Sequence, residues 1–474
     1  MLSKKLAQEV INTAAKTGAD FVEIYYQDVI RNSVSVENEK VEAASTSTSR
    51  GVGLRLLKGL RSVYGHTNDL SKASLIRLAE DLSASFEGEQ EVKVEKFSVK
   101  HVKSIHTVQI PYETVSKEEI INKLKKMSQI MADYDPKIVR RNTGFFSQKE
   151  QIVIFNSKGK QIITGKTWAR MFCSAVAVDG DKVQSEFAGP GTQAGWEFFT
   201  STIDTNKVAK DTAELTMKML YADEAPAGKM PVIIGNGWGG VLFHEACGHP
   251  LESTSVSKGL SCFTPEMVGQ KVASDVVSAY DDGTLPNEWG STSVDDEGNP
   301  SQKVCLIKNG VLQDFMIDGF TGRRMNREEN GHSRRQNYTF EPCARMTNTY
   351  IANGKSTKEE IIANTKLALY CVSFAGGSVD PSTGEFNFGA SEAYIVRDGK
   401  ICEPVRGATL IGKGSEILKQ IDMVANDCAF GVGMCGAGSG SIPVNVGQPT
   451  IRLKEILVGG RGGELKWIQR NSLL

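Results

Sequence analysis

The chain has 474 residues, enough for two to four domains, and its 40% hydrophobic and 23% charged residues are typical of a globular protein. Its 55 Lys and Arg residues balance 56 Asp and Glu residues, and the net charge of -1 argues against direct nucleic-acid binding. No apolar run reaches the roughly 18 residues of a membrane span, and no secretory signal is recognisable. Nine scattered cysteines without a CxxC pair favour reduced thiols. We therefore predict a cytoplasmic protein without a membrane partner.

Helices and strands alternate over the first 220 residues. The 3.6-residue periodicity and serine caps predict helices over residues 3–16, 71–86, 116–135 and 205–222. Apolar and alternating segments predict strands over residues 20–29 and 33–46, a hairpin over 51–65 that turns at Lys58-Gly59, and strands over 138–176 with a turn at 157–159. The polar residues 87–108 predict a loop.

A Pro/Gly-rich segment at residues 225–231 predicts a domain boundary near 222–230. Beyond it, Asn-Gly and Asp-Gly pairs predict hairpins at Asn309-Gly310 and Asp398-Gly399. We also predict a short helix near 356–369 and glycine-rich loops over 375–389 and 431–447. The resulting fold class is α/β (α+β), with two domains, mixed and mainly antiparallel sheets, and flanking helices. The two predicted domains are residues 1–222 and residues 223–474.

The segment His244-Glu245-Ala246-Cys247-Gly248-His249 carries the most specific motif, since imidazole is a favoured zinc ligand and the chain has only six histidines. In an ideal α-helix a spacing of five residues leaves the two rings about 140° apart, too far round for one metal ion. A π-bulge or a helix break realigns the two rings, and Gly248 lies where a bend is needed. The motif therefore predicts a metal site with an irregular backbone, although two unrelated histidines at a helix end also explain the pattern.

The residues leave four candidates for the third ligand of a hydrolytic zinc site, which has three protein ligands and one open position. They are Glu252, Cys247, Cys262 and Cys435. Glu252 follows His249 by three residues, but a role in capping or in orienting a ligand fits it equally well. Proximity in the sequence alone ranks Glu252 above Cys435.

Three segments resemble signature blocks of the TldD/PmbA family of metallopeptidases, on the TldD side. They are PAGKMPVIIGNGWGGVLFHEACGHPLE (226–252), GHSRRQNY with CARMTNTYI (331–351), and GMCGAGSGSIPVNVGQPTIRLKEILVGG (433–460). The resemblance extends through the chain but is most specific after residue 225. The PmbA/TldE-like class of the family lacks the metal motif. Because this chain carries the motif, it resembles the catalytic, TldD-like class.

The resemblance implies a zinc ion held by His244, His249 and Cys435, with Glu245 as general base. It implies a zinc-dependent peptidase that hydrolyses peptides and unfolded protein segments, with its zinc in the C-terminal domain, residues 223–474. It also implies a homodimer or a heterodimer with a PmbA/TldE-like subunit, with residues 1–222 as the scaffold and dimerisation domain. The alternative is a non-catalytic modulator or binding subunit of the gyrase-modulator type, in which the zinc is structural.

Substrate binding has weaker sequence signals. Arg334 and Arg345 are candidates for holding substrate carbonyls or a carboxylate, while ion pairing within the protein is the alternative for these residues and for Arg335. His332 is interpreted as a surface-loop residue rather than a fourth ligand or an oxyanion donor. We further expect an extended peptide to lie along an exposed strand edge, between the glycine-rich loops and strand-forming residues 345–353.

Overall fold

The computed structural model describes residues 2–380, 382–463 and 465. Their architecture is α+β, with three large sheets that are mostly antiparallel and helices on their faces, which confirms the predicted fold class. The strands of the first sheet all lie between Phe21 and Thr192, and those of the other two sheets all lie between Asp223 and Gly459. The division into two domains stays a prediction.

The first sheet contains eight strands. These are β1 (Phe21–Glu37), β2 (Lys40–Lys58), β3 (Arg61–Thr67), β4 (Ser98–His101), β5 (Ile138–Asn156), β6 (Lys160–Asp179), β7 (Lys182–Ala188) and β8 (Gly191–Thr192). The order is β3-β2-β1-β5-β6-β4, and β7 and β8 also pair with β6. The predicted turn at 157–159 joins β5 to β6, whereas the predicted loop over 87–108 contains β4, which pairs parallel to β6.

Two strands predicted over 20–29 and 33–46 are in fact one long strand and the start of the next. β1 continues through the polar residues 31–33 because cross-strand hydrogen bonds replace apolar packing there: Arg31 donates to Gln148, and Thr46 donates to Asn32. The chain turns instead at Asn38 and Glu39, whose φ angles of 45° and 63° suit a two-residue hairpin turn. The predicted hairpin at 51–65 is present, with Lys58 opposite Arg61.

Four helices cover one face of the first sheet, and they confirm the four predicted there. They are α1 (Lys4–Ala14), α2 (Lys72–Ser83), α3 (Lys117–Tyr134) and α4 (Thr205–Leu220). Each begins after a side-chain cap, which is Ser3, Ser71, Ser116 or Asp204. α1 and α2 bury one end of the face, and α3 and α4 bury the other. The opposite face carries Tyr25, which packs with Val294 from the second half of the chain.

The second half contains sixteen further strands and five further helices among the described residues. In chain order the strands are β9 (Asp223–Glu224), β10 (Gly228–Ile234), β11 (Ala279–Asp282), β12 (Lys303–Lys308), β13 (Val311–Leu312), β14 (Ser333–Arg334), β15 (Cys343–Ala344), β16 (Asn348–Ile351), β17 (Leu367–Asp380), β18 (Glu385–Arg397), β19 (Lys400–Arg406), β20 (Thr409–Lys413), β21 (Ile421–Val424), β22 (Ala429–Ala437), β23 (Gly440–Gln448) and β24 (Ile451–Gly459). The helices are α5 (Val241–Phe243), α6 (Ser253–Val256), α7 (Gly319–Met325), α8 (Lys358–Ala363) and α9 (Gly414–Gln420).

These strands form two large sheets and a small ribbon. One sheet has the order β17-β10-β24-β20-β18-β19-β9, with β21 beside β24, and β17 also pairs with β18, so five strands form a closed circuit. The other has the order β13-β12-β11-β16-β23-β22, and β14 pairs with β15 alone. The hairpins at Asn309-Gly310 and Asp398-Gly399 are confirmed. The helix predicted near 356–369 is the shorter α8.

The glycine-rich segments predicted as loops form strands over residues 375–380, 385–389, 431–437 and 440–447. Glycines in these strands allow aromatic rings to pack directly against the backbone. A Cβ on Gly431 would lie 2.9 Å from the ring of Trp238, and one on Gly377 would lie 2.0 Å from the ring of Phe388. The predicted strand edge at 345–353 is also wrong, because β16 lies between β11 and β23. No helix in the described residues is long and apolar enough to cross a membrane.

Candidate metal centre

The motif follows β10 through a glycine-rich turn, as the sequence predicts. Gly237 has a φ of 62°, a 3-10 turn spans Trp238–Gly240, and α5 leads directly into His244. A Cβ on Gly240 would lie 2.5 Å from the backbone nitrogen of Gly447 in β23. Glycine is therefore required where the helical segment crosses this sheet, and the crossing fixes the position of the two histidines.

Residues His244–Gly248 form a π-helical turn, which confirms the predicted backbone irregularity. The N–H of His249 donates to the carbonyl of His244, five residues back, so the two side chains return to the same side of the helix. Their ring centroids lie 5.1 Å apart. Gly248 itself has ordinary helical angles, and a Cβ there would lie 2.2 Å from Sδ of Met346. The glycine thus makes room for Met346 rather than making a bend.

Cys435 of β22 completes a cluster with the two histidines. One ligand atom from each of His244, His249 and Cys435 lies within 4.8 Å of the others, and Sγ of Cys435 is 3.2 Å from Nε2 of His249. The buried thiol of Cys247 instead lies 3.9 Å from the carbonyl oxygen of Gly414. Among the described residues, no other group of three or more such side chains converges in this way.

The electrostatics of the cluster suit a cation. Burial raises the pKa of the Cys435 thiol, but the adjacent imidazoles of His244 and His249 outweigh it and lower that pKa to about 4. Burial lowers the pKa of His249, but the neighbouring Glu252 and Cys435 bring it well above its usual value. Nδ1 of His244 is buried and has no hydrogen-bond partner in the part of the chain that the structure describes. Two imidazoles and a readily ionised thiol form a donor set that fits Zn²⁺.

Glu252 lies outside the cluster of three ligand atoms and contacts His249 from the other side of its ring. Its Oε2 is 3.1 Å from Nδ1 of His249, while its Oε1 accepts from the N–H of Met346 at 3.3 Å. The guanidinium of Arg345 lies 3.6 Å from Oε1 and donates to the carbonyl of Cys435 at 2.6 Å. Glu252 and Arg345 therefore connect the histidine and cysteine sides of the site, and they orient both.

Glu245 lies beside the cluster without belonging to it. Its Oε2 is 3.7 Å from Nε2 of His249, and its side chain is 20% exposed. The corresponding exposed fraction is 12% for His249, and Cys435 and His244 are buried. Glu245 is thus the most exposed of these four residues.

The other polar residues considered from the sequence are all buried. Arg334 donates to the carbonyl of Met346, and Arg335 pairs with Glu23 at 2.6 Å. His332 is fully buried, so its interpretation as a surface-loop residue is wrong. Its Nε2 lies 3.0 Å from Asp281 and its Nδ1 2.9 Å from the carbonyl oxygen of Asn330, which keeps it away from the cluster.

One supporting residue has no signal in the sequence. Nε1 of the buried Trp289 donates to the carbonyl of Gly433, two residues before Cys435, and so supports β22. Trp289 lies in an irregular segment, and its partner is 144 residues away in the chain. Neither periodicity nor a motif indicates such a contact.

Two cavities lie beside β22. The larger, about 1500 Å³, is lined by residues 429–434 of β22 together with Trp238, Phe374 and Phe187. The smaller, about 390 Å³, is lined by Met434, Trp168, Trp289 and Arg334. Met434 borders both and precedes Cys435, so both cavities adjoin the strand that carries the cysteine.

Family models for three successive regions match the chain. The PmbA/TldA metallopeptidase domain 1 matches residues 22–85, the central domain matches 110–220, and the C-terminal domain matches 227–460. The chain belongs to the PmbA/TldD metallopeptidase family. The match to the C-terminal domain includes the whole cluster of His244, His249 and Cys435.

Curated relatives of the family carry protease names. A "Metalloprotease TldD homolog" of Haemophilus influenzae is 34% identical over 467 residues, which cover 97% of each chain. A "Metalloprotease TldD homolog" of Buchnera aphidicola is 34% identical over 449 residues, 93% of each chain. A "Zinc metalloprotease TldD homolog" of Saccharolobus solfataricus is 26% identical over 452 residues, which cover 95% of this chain and 99% of that one.

Solved structures share the fold at lower identity. TldE from Thermococcus kodakarensis superposes with a TM-score of 0.75 at 20% identity, covering 96% of this chain and 100% of that one. A protein from Thermotoga maritima, described as a proposed modulator of a DNA gyrase, superposes with a TM-score of 0.76 at 20% identity over the same shares. At this identity the likeness concerns the fold alone.

Proposed function

We propose that this chain is a zinc-dependent peptidase of the HExxxH type. The observation that carries the proposal is the convergence of His244, His249 and Cys435, with the partly exposed Glu245 carboxylate 3.7 Å from Nε2 of His249. In this proposal the three residues would hold Zn²⁺, as the three protein ligands of hydrolytic zinc sites do. When bound, zinc would lower the pKa of a water molecule and polarise the carbonyl of the scissile bond.

Glu245 is the proposed general base. Its carboxylate is next to the cluster, is partly exposed and is not needed as a ligand, so it can take a proton from the attacking water and deliver it to the leaving amine. Glu252 and Arg345 are positioning residues in this proposal, because both contact the ligands and neither belongs to the cluster. The substrate contact predicted for Arg345 stays a prediction, and its fully buried guanidinium does not favour it.

The proposed substrate is a peptide or an unfolded protein segment in the larger cavity. β22 is the edge strand of its sheet and forms one wall of that cavity. The carbonyls of Gly433 and Cys435 already accept hydrogen bonds from Trp289 and Arg345, so they are poor partners for a substrate backbone. We therefore expect the shape of the cavity and access to it, rather than a continuous strand ladder, to select flexible chains.

We further propose that the chain works as a dimer, either with a second copy or with a PmbA/TldE-like subunit. The edge strand β7 exposes two large apolar side chains, Val183 at 57% and Phe187 at 56%. Phe187 also lines the larger cavity. A subunit that covers β7 would bury this apolar surface and restrict entry to the cavity. This supports a dimerisation role for the first half of the chain.

The test is metal analysis combined with a digest of casein and of a short peptide, for the chain alone and with a PmbA/TldE-like subunit. The proposal expects about one zinc per chain and cleavage that a chelator abolishes and zinc restores. Zinc held tightly with no cleavage in either assembly would favour the structural-zinc alternative. Cleavage that survives complete removal of the metal would overturn the proposal.

A further inference from the structure

Three buried arginines lie near the metal centre, and one of them has no acidic partner among the described residues. Arg335 lies 2.6 Å from Glu23, and Arg345 lies 3.6 Å from Glu252. Arg334 is 5% exposed, and its guanidinium donates to the carbonyl of Met346 at 2.5 Å without a carboxylate within 4.0 Å. A buried guanidinium without a counter-ion is costly, which points to a missing anion.

Nearby carboxylates do not supply that anion, because other groups already hold them. Asp296 binds Lys166 at 2.9 Å and accepts from the backbone N–H of Arg335 at 2.8 Å. Asp281 lies 3.0 Å from Nε2 of His332 and accepts a hydrogen bond from the backbone N–H of Thr347. Burial lowers the pKa of Arg334 to about 10, and the nearby Arg345 adds to that effect, while Asp296, Asp281 and the more weakly acting Cys435 only partly oppose it.

Arg334 lines the smaller cavity of about 390 Å³, a size that suits a small ligand or one end of a peptide. The cavity is predominantly cationic, with Arg31, Lys166 and Arg335 on its walls against one acid, Glu150. Glu150 accepts hydrogen bonds from the side chains of Gln27 and Trp168. Lys166 is paired with Asp296 and Arg335 with Glu23, so among the described residues Arg334 and Arg31 are the wall cations without a carboxylate partner.

The same cavity lies beside the strand pair that carries Cys435. Ile442, on its wall, is the strand partner of Cys435. Arg334 is also linked to His249 through two residues. It donates to the carbonyl of Met346, and the N–H of Met346 donates to Glu252, which contacts His249. Met434 lines both this cavity and the larger one, so a ligand here would lie beside a substrate in the larger cavity.

We propose that Arg334 binds a carboxylate of the peptide substrate in the smaller cavity and so selects peptides with an acidic group near the cleaved bond. The inference rests on the peptidase function proposed above. The carboxylate has two sources, the C-terminus of the peptide or an Asp or Glu side chain. Arg334 is then a specificity-determining residue, whereas Arg335 and Arg345 are neutralised within the protein.

The test measures binding apart from cleavage, in the zinc-loaded full-length Glu245→Gln chain, by isothermal titration calorimetry. The probes are an acetylated alanine tetrapeptide with a free C-terminal carboxylate, its C-terminal amide, and the amide carrying one Glu or one Gln. We expect the free acid or the Glu peptide to bind about 10- to 100-fold more tightly than its neutral match, since hydrogen bonds to charged groups have this strength. Equal affinity for all four peptides would overturn the proposal.

Variants assign the preference to Arg334. Arg334→Gln should weaken the acidic peptides to the level of the neutral ones, and Arg334→Lys, which keeps the charge but loses the paired donors, should lie between. Arg140→Gln, which removes an exposed guanidinium paired with Glu37, is the matched control and should keep the preference. Preference retained in a folded Arg334→Gln protein would contradict the proposal. Cleavage of the same peptides by the wild-type chain, in which Glu245 is intact, tests the peptidase function separately.

Discussion

Oε2 of Glu252 lies 3.1 Å from Nδ1 of His249, on the ring nitrogen that faces away from Cys435. A carboxylate in this position fixes the orientation of the ring and raises the basicity of the nitrogen that faces the cluster. Arg345, 3.6 Å from the other oxygen of Glu252, also holds the backbone of Cys435. Two parts of the chain that are 186 residues apart are thus aligned by one buried ion pair.

Glu252→Gln should weaken zinc binding by about 10- to 100-fold without removing a ligand, because it removes the charge that orients His249. The measurement is competition with a chelator of known affinity. Glu266→Gln, at an exposed carboxylate, is the control and should bind zinc as the wild type does. Unchanged affinity in Glu252→Gln would show that the contact with His249 has no role in binding.

The three cysteines considered as ligands should respond differently to substitution. Cys435→Ala should lose zinc because it removes one of the three converging donors, while Cys247→Ala and Cys262→Ala should retain it. Elemental analysis of the purified variants decides the point. One zinc per chain in Cys435→Ala, held as tightly as in the wild type, would require a different third ligand.

Acid should destabilise the fold through His106. Burial lowers the pKa of this histidine from 6.5 to about 4, and its Nδ1 accepts a hydrogen bond from the N–H of Asn287. Because the unfolded chain binds a proton at a higher pH than the folded chain, the contribution to stability is present above pH 6.5 and is lost as the pH falls towards 4.

His106→Gln should therefore flatten the decline in stability between pH 7 and pH 4, measured by urea unfolding at several pH values. His66→Gln, at an exposed ring, is the matched control and should keep the wild-type decline. The same pH dependence in His106→Gln and the wild type would contradict this explanation.

The predictions from sequence succeeded where the determining contacts are local. Ser71 and Ser116 accept hydrogen bonds from residues three positions later, so the helix starts at α2 and α3 could be read directly from the chain. The i, i+5 spacing of His244 and His249 likewise required the π-helical turn that is present.

The predictions from sequence failed where the packing partner of a residue is distant in the chain. The glycines in β22 and β23 predicted loops. At Gly447, however, glycine is present because a side chain would collide with Phe430 and Tyr350, which pack against it across the sheet. Cys435 was indicated as a ligand only by family resemblance, since no spacing rule connects it to His249, 186 residues earlier. The burial of His332 against Asp281 also depends on a contact between distant segments.

Substrate form should control cleavage if the substrate must enter the larger cavity beside β22. A denatured protein should be cut at least about tenfold faster than the same protein in its folded state. A stable substrate populates its folded form far above its unfolded form, so few of its molecules can enter the cavity at any time. A stable folded domain without flexible tails, compared with a permanently unfolded variant of it, provides the matched pair. Equal rates for the two forms would exclude restricted access.

The most direct test of the account compares zinc content and peptide hydrolysis in the wild type and Glu245→Gln. The account predicts that the variant keeps one zinc per chain and its fold but loses hydrolysis by about 10²- to 10⁴-fold, the usual contribution of a general base. Glu266→Gln, at an exposed carboxylate, should hydrolyse peptides at the wild-type rate. Wild-type turnover in a zinc-loaded Glu245→Gln protein would contradict the central claim that this carboxylate and the cluster beside it form a peptidase active site.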